Sequence, residues 1–163
     1  MTWEQICDDP LLRDLPFKIE QDRFGRIVMS PPPIPAHGGY QAQICYFLRT
    51  LLPGWMVIAE CATETADGVK VPDVAALPRE RWPSSRDRAC LPQAAEICVE
   101  VLSASNSFQE MDEKRRLYAD QGCREFWTCS EKGEMAFLEA GNGRKLDRSL
   151  ICPEFPTLIG FED

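Results

Sequence analysis

The segment that most constrains this fold is the apolar run at residues 95–102, of sequence AEICVEVL. Apolar side chains on both faces are typical of a central strand that is covered on each side. Because side chains alternate along a strand, Glu100 shares one face with Cys98 and Leu102. A buried carboxylate is costly unless a partner compensates its charge. The run therefore predicts a central strand carrying one acid that needs a partner.

The other elements extend this strand into a mixed sheet. Apolar residues at three- and four-residue steps predict a helix that begins at Pro35 and closes at Pro53-Gly54. A second, charged helix is predicted before Gly122, and Asp67-Gly68 is typical of a hairpin turn. We predict an α/β (α+β mixed) fold, with a mixed central β-sheet flanked by helices.

Length and organisation indicate one domain. A chain of 163 residues can bury a core of its own, and neither an internal repeat nor a long linker divides it. We predict a single domain over 1–163, with a lead-in segment at 1–20 and a C-terminal tail at 150–163.

Composition narrows the compartment and the partners. No apolar run approaches the roughly 20 residues that span a bilayer, and the opening residues MTWEQICDDP lack the basic region of a secretory signal. We therefore expect a cytoplasmic protein without a membrane association. The eight cysteines contain no CxxC pair, so buried free thiols are expected. A net charge of −8 argues against wrapping nucleic acid by bulk electrostatics, although it is compatible with acids that hold divalent cations.

A second acid lies in the run VKVPDVAAL, which reads as a strand interrupted by Pro72-Asp73. Proline removes a ladder hydrogen bond, so this strand is expected at a sheet edge or with a bulge. If the strands of Asp73 and Glu100 are neighbours, both carboxylates can converge on one divalent cation. Mg²⁺ suits such a site because it takes one or two carboxylates and keeps several waters.

Lys114 is the third candidate. On the predicted helix it shares a face with Met111, Leu117 and Tyr118, so a cation occupies a stripe that otherwise faces the interior. One interpretation is a lysine whose stem merely covers apolar surface. The other is a functional cation, because an Asp, a Glu on the next strand and a Lys can together support hydrolysis at phosphorus.

At these motifs the chain resembles a known family. VPDVA, then EICVEVLSASNS, then EKRRLYADQGCREFWTCSEKGEM, together with the earlier SPPPIPAHGGYQAQICYFL, are similar to the Uma-two family of restriction endonucleases. That family belongs to the PD-(D/E)XK nuclease-like superfamily, and the similarity extends over nearly the whole chain. The resemblance implies a restriction-endonuclease-like core and an endonuclease that hydrolyses phosphodiester bonds in DNA with Mg²⁺ or Mn²⁺.

The resemblance also implies roles for individual residues. Asp73 corresponds to the PD acid and metal ligand, Glu100 to the second acid, and the backbone carbonyl of Val101 to a further ligand. The lysine of the superfamily's ExK motif would fall at Leu102, which cannot act. In this family the basic role moves to the following helix, which here means Lys114.

Two further residues are candidates for the site, and each has either a functional or a structural interpretation. His37, the single histidine, stands near the start of the first long helix, where family members often carry one. It is either a structural side chain or a catalytic proton shuttle or phosphate contact. Glu60 closes the predicted strand WMVIAE and is either a third acid for the metal or a surface carboxylate.

Alternative functions remain open at this stage. The chain is either an active endonuclease, a catalytically inactive nuclease-fold binding module, or a phosphodiesterase that acts on RNA or a small nucleotide. A homodimer is possible if the apolar hairpin around Phe126 and Trp127 is an interface rather than core. The enzyme hypothesis expects Asp73 and Glu100 to lie together, with Lys114 pointing towards them.

Overall fold

The computed structural model describes residues 1–161, which form helices and strands around one central sheet. The helices are α1 (Trp3–Asp8), α2 (Pro35–Leu51) and α3 (Phe108–Asp120), with a short 3₁₀ helix at Arg79–Arg81. The strands are β1 (Lys18–Gln21), β2 (Ile27–Ser30), β3 (Trp55–Ala59), β4 (Thr63–Thr65), β5 (Gly68–Lys70), β6 (Val74–Pro78), β7 (Ile97–Val101), β8 (Glu125–Cys129), β9 (Met135–Glu139) and β10 (Lys145–Leu146).

The central sheet is mixed, and β7 lies inside it. Its strand order is β10-β9-β8-β7-β6-β3. β7 pairs in parallel with β8, and the other neighbouring pairs are antiparallel. Every residue of β7 is buried. The prediction of a mixed sheet flanked by helices, built on a central strand at AEICVEVL, is confirmed.

Helices cover the sheet on both faces, as the apolar residues on both faces of β7 predict. One face of β7 packs with α2 and the C-terminal segment, in a cluster that includes Ile44, Leu48, Ile97, Val99, Val101 and Phe155. The other face packs with α3, in a cluster that includes Cys98, Met111, Tyr118 and Phe126. Because α3 connects the parallel strands β7 and β8, it returns across this second face and carries its side chains over Glu100.

The run VKVPDVAAL is not one strand, which corrects the prediction of an edge or bulged strand. Its first part is β5, which pairs with β4, and its last part is β6, which lies between β3 and β7 in the sheet interior. Pro72 lies in the link between β5 and β6, where its missing N–H costs no ladder hydrogen bond. Its carbonyl accepts a hydrogen bond from the Cys61 N–H at 3.3 Å. Asp73 therefore precedes a central strand instead of interrupting one.

Two hairpins lie beside the sheet, and β1 packs against β5. β1 begins at Lys18, so the prediction that 1–20 is only a lead-in segment is wrong for its last three residues. The contact is close at Gly68, where φ is +77° and an added Cβ would collide with the Gln21 carbonyl oxygen. The Lys70 ammonium also donates to that carbonyl at 3.4 Å. These contacts fix β1 next to β5, the strand from which the chain continues to Asp73.

The C-terminal segment packs onto the sheet. Phe155 and Ile159 are buried in the cluster on the α2 face, so the expected tail at 150–163 is part of the core through Ile159. Positions 162 and 163 lie outside the described residues.

Phe126 and Trp127 are buried too, so the hairpin that carries them is core and not an interface. All eight cysteines are free thiols. Among residues 1–161, no helix is long and apolar enough to cross a bilayer.

Candidate active site

Asp73 lies at the start of β6 with both carboxylate oxygens hydrogen-bonded. Oδ2 accepts from the Val101 N–H at 2.7 Å and lies 3.4 Å from Nε2 of His37. Oδ1 accepts from the Lys18 ammonium at 2.8 Å. Burial acts to raise the pKa of Asp73, but the His37 hydrogen bond and the Lys18 charge outweigh it and lower the pKa to about 2. The carboxylate is therefore ionised and held in one orientation.

Glu100 lies across from Asp73 in the sheet. Val74 pairs with Val99, so the residues that precede and follow them stand side by side on β6 and β7. Glu100 Oε1 accepts from the Lys114 ammonium at 3.3 Å and from the Tyr118 hydroxyl at 3.1 Å. Burial raises the pKa of Glu100 to about 7, against the lowering effect of nearby lysines. This carboxyl can thus gain or lose a proton near neutral pH.

Lys114 points from α3 into this cluster and not towards solvent. Its side chain is 14% exposed, and its ammonium lies 3.3 Å from Glu100 and 3.4 Å from Glu20. Burial acts to lower the pKa of Lys114, but the charges of Glu100 and Glu20 overcome this and raise it. The amine therefore stays protonated at neutral pH.

His37 stands in the first turn of α2, beside Asp73. The hydrogen bond to Asp73 raises the pKa of His37, although burial opposes the rise. Its other ring nitrogen, Nδ1, is buried and has no hydrogen-bond partner within residues 1–161.

Glu60 lies at the rim of the same site in a strained backbone conformation. Among residues 1–161 it is the only residue other than glycine with a positive φ, at 52°. Its N–H donates to the Asp73 carbonyl at 3.1 Å, and its carboxylate accepts from Gln41 at 2.9 Å. The side chain is 47% exposed and 3.9 Å from the Lys18 ammonium. Such strain concentrates at functional sites.

Sequence reasoning missed Lys18 and Glu20, both on β1. Glu20 accepts from the Val71 N–H at 2.8 Å and lies 3.4 Å from Lys114. Two residues apart, Lys18 and Glu20 share a face of the strand and reach the site together. The alternation in the sequence KIEQ is the one local signal, but it does not show that β1 packs on β5.

These residues line one pocket of about 820 Å³. Its charged lining consists of Lys18, Glu20, His37, Glu60, Asp73, Glu100, Glu110, Lys114 and Glu131. Apolar side chains from Phe17, Val28, the Pro31–Pro33 run and Ile34 form a wall beside them. Val101 and the loop Ser103–Asn106 also line the pocket. The N-cap of α3 is Ser107, which follows this loop and whose hydroxyl accepts from the Glu110 N–H at 3.1 Å.

The donor set fits a hard divalent cation that keeps part of its water shell. Asp73 and Glu100 offer carboxylate oxygens on adjacent strands, and Mg²⁺ needs only one or two of these. Within the part of the chain that the structure describes, no three His, Cys, Asp or Glu side chains gather into a metal-binding group.

The architecture is that of a nuclease-like α+β domain. A crystal structure described as "a putative nuclease belonging to DUF820", from Anabaena variabilis, superposes with a TM-score of 0.68 and covers 90% of this chain and 83% of that chain. The sequences are 16% identical, so this likeness shows a shared fold. Residues 10–155 match the Uma2 family model, described as "Putative restriction endonuclease". The chain belongs to the Uma2 family, which confirms the resemblance seen in its motifs. No curated protein matches it.

Proposed function

We propose that the protein is a cytoplasmic, divalent-cation-dependent endonuclease of the PD-(D/E)XK type that hydrolyses phosphodiester bonds in DNA. The observation that carries this proposal is the meeting of Asp73, Glu100 and Lys114, from three separate elements, in one pocket. Membership of the Uma2 family and the nuclease-like fold support it.

The cation would be Mg²⁺ or Mn²⁺, held by Asp73 and Glu100. The carbonyl of Val101 and the carboxylate of Glu60 are further candidate ligands, since both residues line the pocket. When bound, such a cation supplies Lewis acidity that lowers the pKa of water and offsets charge at the phosphate. The raised pKa of Glu100 supports this role, because a second positive charge nearby would stabilise its ionised form.

Lys114 acts as a fixed positive charge and not as a general base. Its raised pKa keeps it protonated, and Glu100 and Glu20 hold the ammonium in place. A preorganised cation of this kind stabilises the charge that develops on phosphate oxygens in the transition state.

His37 is the candidate proton-transfer group, and it contacts Oδ2 of Asp73, whereas Lys18 contacts Oδ1. His37 lines the pocket and its Nε2 lies 3.4 Å from the Asp73 carboxylate, so the ring can exchange a proton with Asp73 or with a group that binds beside it. The raised pKa of His37 suits transfer near neutral pH.

A second candidate is a phosphodiesterase that acts on RNA or a small nucleotide. A pocket of about 820 Å³ with an apolar wall suits one unstacked nucleotide, while the net charge of −8 suits long duplex DNA less well. The same acids and lysine would serve this chemistry, so the substrate distinguishes the two candidates.

The test compares Asp73→Asn with Asp67→Asn in the presence of Mg²⁺ or Mn²⁺. Asp67 is a matched control because its carboxylate also pairs with a lysine, Lys70 at 2.9 Å, but lies outside the pocket lining. Supercoiled plasmid, single-stranded DNA, RNA and a nitrophenyl nucleotide ester serve as substrates.

We expect Asp73→Asn to lower the cleavage rate by about 10²- to 10³-fold or more, and Asp67→Asn to leave it within about twofold. Cleavage of the nucleotide ester or RNA without nicking of plasmid would select the second candidate. Cleavage that is equal in the wild type and Asp73→Asn would reject both, and binding without cleavage would indicate an inactive nuclease-fold module.

A further inference from the structure

The two oxygens of Asp73 have different partners, and the difference is informative. Oδ2 is fixed within the protein by the Val101 N–H at 2.7 Å and by His37 at 3.4 Å. Oδ1 is bound by the Lys18 ammonium at 2.8 Å. The oxygen left to face an incoming cation is therefore the one that Lys18 already holds.

Lys18 is placed so that it can leave Asp73 without leaving the site. It belongs to β1, in a hairpin separate from the central sheet, and its side chain is 20% exposed in the pocket lining. A second carboxylate, that of Glu60, lies 3.9 Å from the same ammonium. Lysine has a flexible four-carbon stem, so its charge can shift between partners by side-chain rotation.

Lys18 also stays charged where it stands. Its ammonium lies 2.8 Å from the Asp73 carboxylate and 3.9 Å from that of Glu60, and two carboxylates at these distances favour its charged form. An ammonium and a divalent cation repel each other strongly at neighbouring positions on one carboxylate. Both cannot occupy Oδ1 at once.

We propose that Lys18 is a displaceable counter-ion of Asp73: it competes with the divalent cation for Oδ1 and, once displaced, binds the substrate phosphate at the pocket mouth. The inference rests on the proposed function, because it takes Asp73 as a cation ligand. In addition, one lysine would take part in both binding events: Lys18 would leave the Asp73 carboxylate when the cation binds and would then contact the substrate phosphate. Lys18 thereby sets the affinity for the cation and links cation binding to substrate binding.

The first experiment measures Mn²⁺ binding to the full chain without substrate, by electron paramagnetic resonance. We expect Lys18→Met, which keeps the length of the stem and removes the charge, to bind Mn²⁺ about tenfold more tightly or better. Lys18→Arg should bind it more weakly than the wild type, because a guanidinium keeps the positive charge and can hold Oδ1 of Asp73 and the nearby Glu60 carboxylate with separate N–H groups. Lys145→Met, an exposed charge loss on β10 outside the pocket lining, should stay within about twofold.

The second experiment measures phosphodiester hydrolysis at saturating Mn²⁺. Lys18→Met should raise KM for the substrate by about tenfold or more, since a phosphate contact is lost. Tighter cation binding together with weaker substrate binding is a signature that simple loss of structure would not produce. Circular dichroism checks that the variant is folded. If Lys18→Met does not fold, Lys18→Arg decides alone.

The outcomes separate the inference from the function on which it rests. Mn²⁺ affinity that is unchanged or lower in Lys18→Met, or unchanged or higher in Lys18→Arg, overturns the role of Lys18 while leaving the nuclease proposal intact. Tighter Mn²⁺ binding by Lys18→Met with an unchanged KM overturns the phosphate contact. If neither the wild type nor Lys18→Met binds Mn²⁺ and neither cleaves a phosphodiester, the proposed function fails and the inference fails with it.

Discussion

Glu100 and Glu125 are two buried acids on neighbouring parallel strands, yet their surroundings differ. Glu125, at the start of β8, accepts from the Leu150 and Ile151 N–H groups through Oε1, at 2.8 and 3.0 Å. Its Oε2 accepts from Trp127 Nε1 at 2.8 Å and from the Ser149 hydroxyl at 2.7 Å. Four neutral donors thus satisfy this carboxylate and tie the C-terminal segment to the sheet.

Glu100, near the end of β7, has a less complete set of partners. The contacts recorded for it from residues 1–161 are Lys114 and Tyr118, both at Oε1. Burial raises its pKa to about 7, so part of the cost of ionising it is not compensated. A carboxylate that stabilises the fold has hydrogen-bond donors on both oxygens. A carboxylate that binds a ligand lacks some of these partners until the ligand is present. The comparison predicts that the two acids respond differently to the same substitution.

The largest effect is expected for Glu125→Gln. Its new amide nitrogen would face two donors, so two hydrogen bonds are lost and their buried donors are left unsatisfied. We expect the free energy of unfolding to fall by about 3 kcal/mol, measured by urea denaturation. The control is Glu139→Gln, directly opposite on β9, whose partner Arg144 is exposed; it should cost no more than about 0.5 kcal/mol. Equal losses in the two variants would contradict a structural role for Glu125.

A somewhat smaller, pH-dependent effect is expected for Glu100→Gln in the presence of a chelator. The folded-state pKa of Glu100, about 7, lies above its ordinary value of 4.5. Protonated Glu100 therefore contributes stability that is fully present below pH 4.5 and is lost as pH rises through 7. Between these limits the wild type should lose roughly 2–3 kcal/mol more than Glu100→Gln does.

The free energy of unfolding is measured by thermal or urea denaturation at several pH values, for the wild type, Glu100→Gln and one control variant. Glu113→Gln is the control, because Glu113 lies on the exposed face of α3, next to Lys114 in sequence. Its pH profile should follow that of the wild type. Parallel profiles for the wild type and Glu100→Gln would show that Glu100 is as well compensated as Glu125.

The smallest effect concerns backbone strain at Glu60, which lines the same pocket as Glu100. Glu60→Asn should raise the free energy of unfolding by about 0.5–1 kcal/mol, because asparagine tolerates a positive φ better than glutamate. Glu60→Gln removes the same charge but keeps the strain, so it should be no more stable than the wild type. If Glu60→Asn does not have a higher free energy of unfolding than Glu60→Gln, the positive φ at Glu60 stores no strain.

Local patterns in the sequence predicted the centre of the fold. Together with the family resemblance they singled out six residues that line the pocket: His37, Glu60, Asp73, Glu100, Val101 and Lys114. Glu100 was recognisable because it is a single acid within an otherwise apolar strand, and Lys114 because a cation interrupts an apolar helix face. The two-sided cover of β7 followed from its composition, and the structure confirms it.

The remaining site residues depend on contacts between distant segments, which short-range patterns do not contain. Lys18 and Glu20 reach the pocket only because β1 packs on β5. Pro72 was read as a sign of an edge strand, but the chain there passes from one sheet to another, which needs no N–H from that residue. Glu125 stands at the start of its strand, where a charged residue normally reaches solvent, so its burial depends on the C-terminal segment that covers it.

The crossover made by α3 also has a consequence for the order in which the pocket forms during folding. The Glu100–Lys114 contact spans 14 residues, all within one β–α–β unit, whereas the Lys18–Asp73 contact spans 55. Contacts between near neighbours in sequence cost less chain entropy and form sooner. We therefore expect Glu100 to acquire its positive partner while β7, α3 and β8 dock. Asp73 would wait for β1, so the site's two acids would be neutralised at different stages of folding.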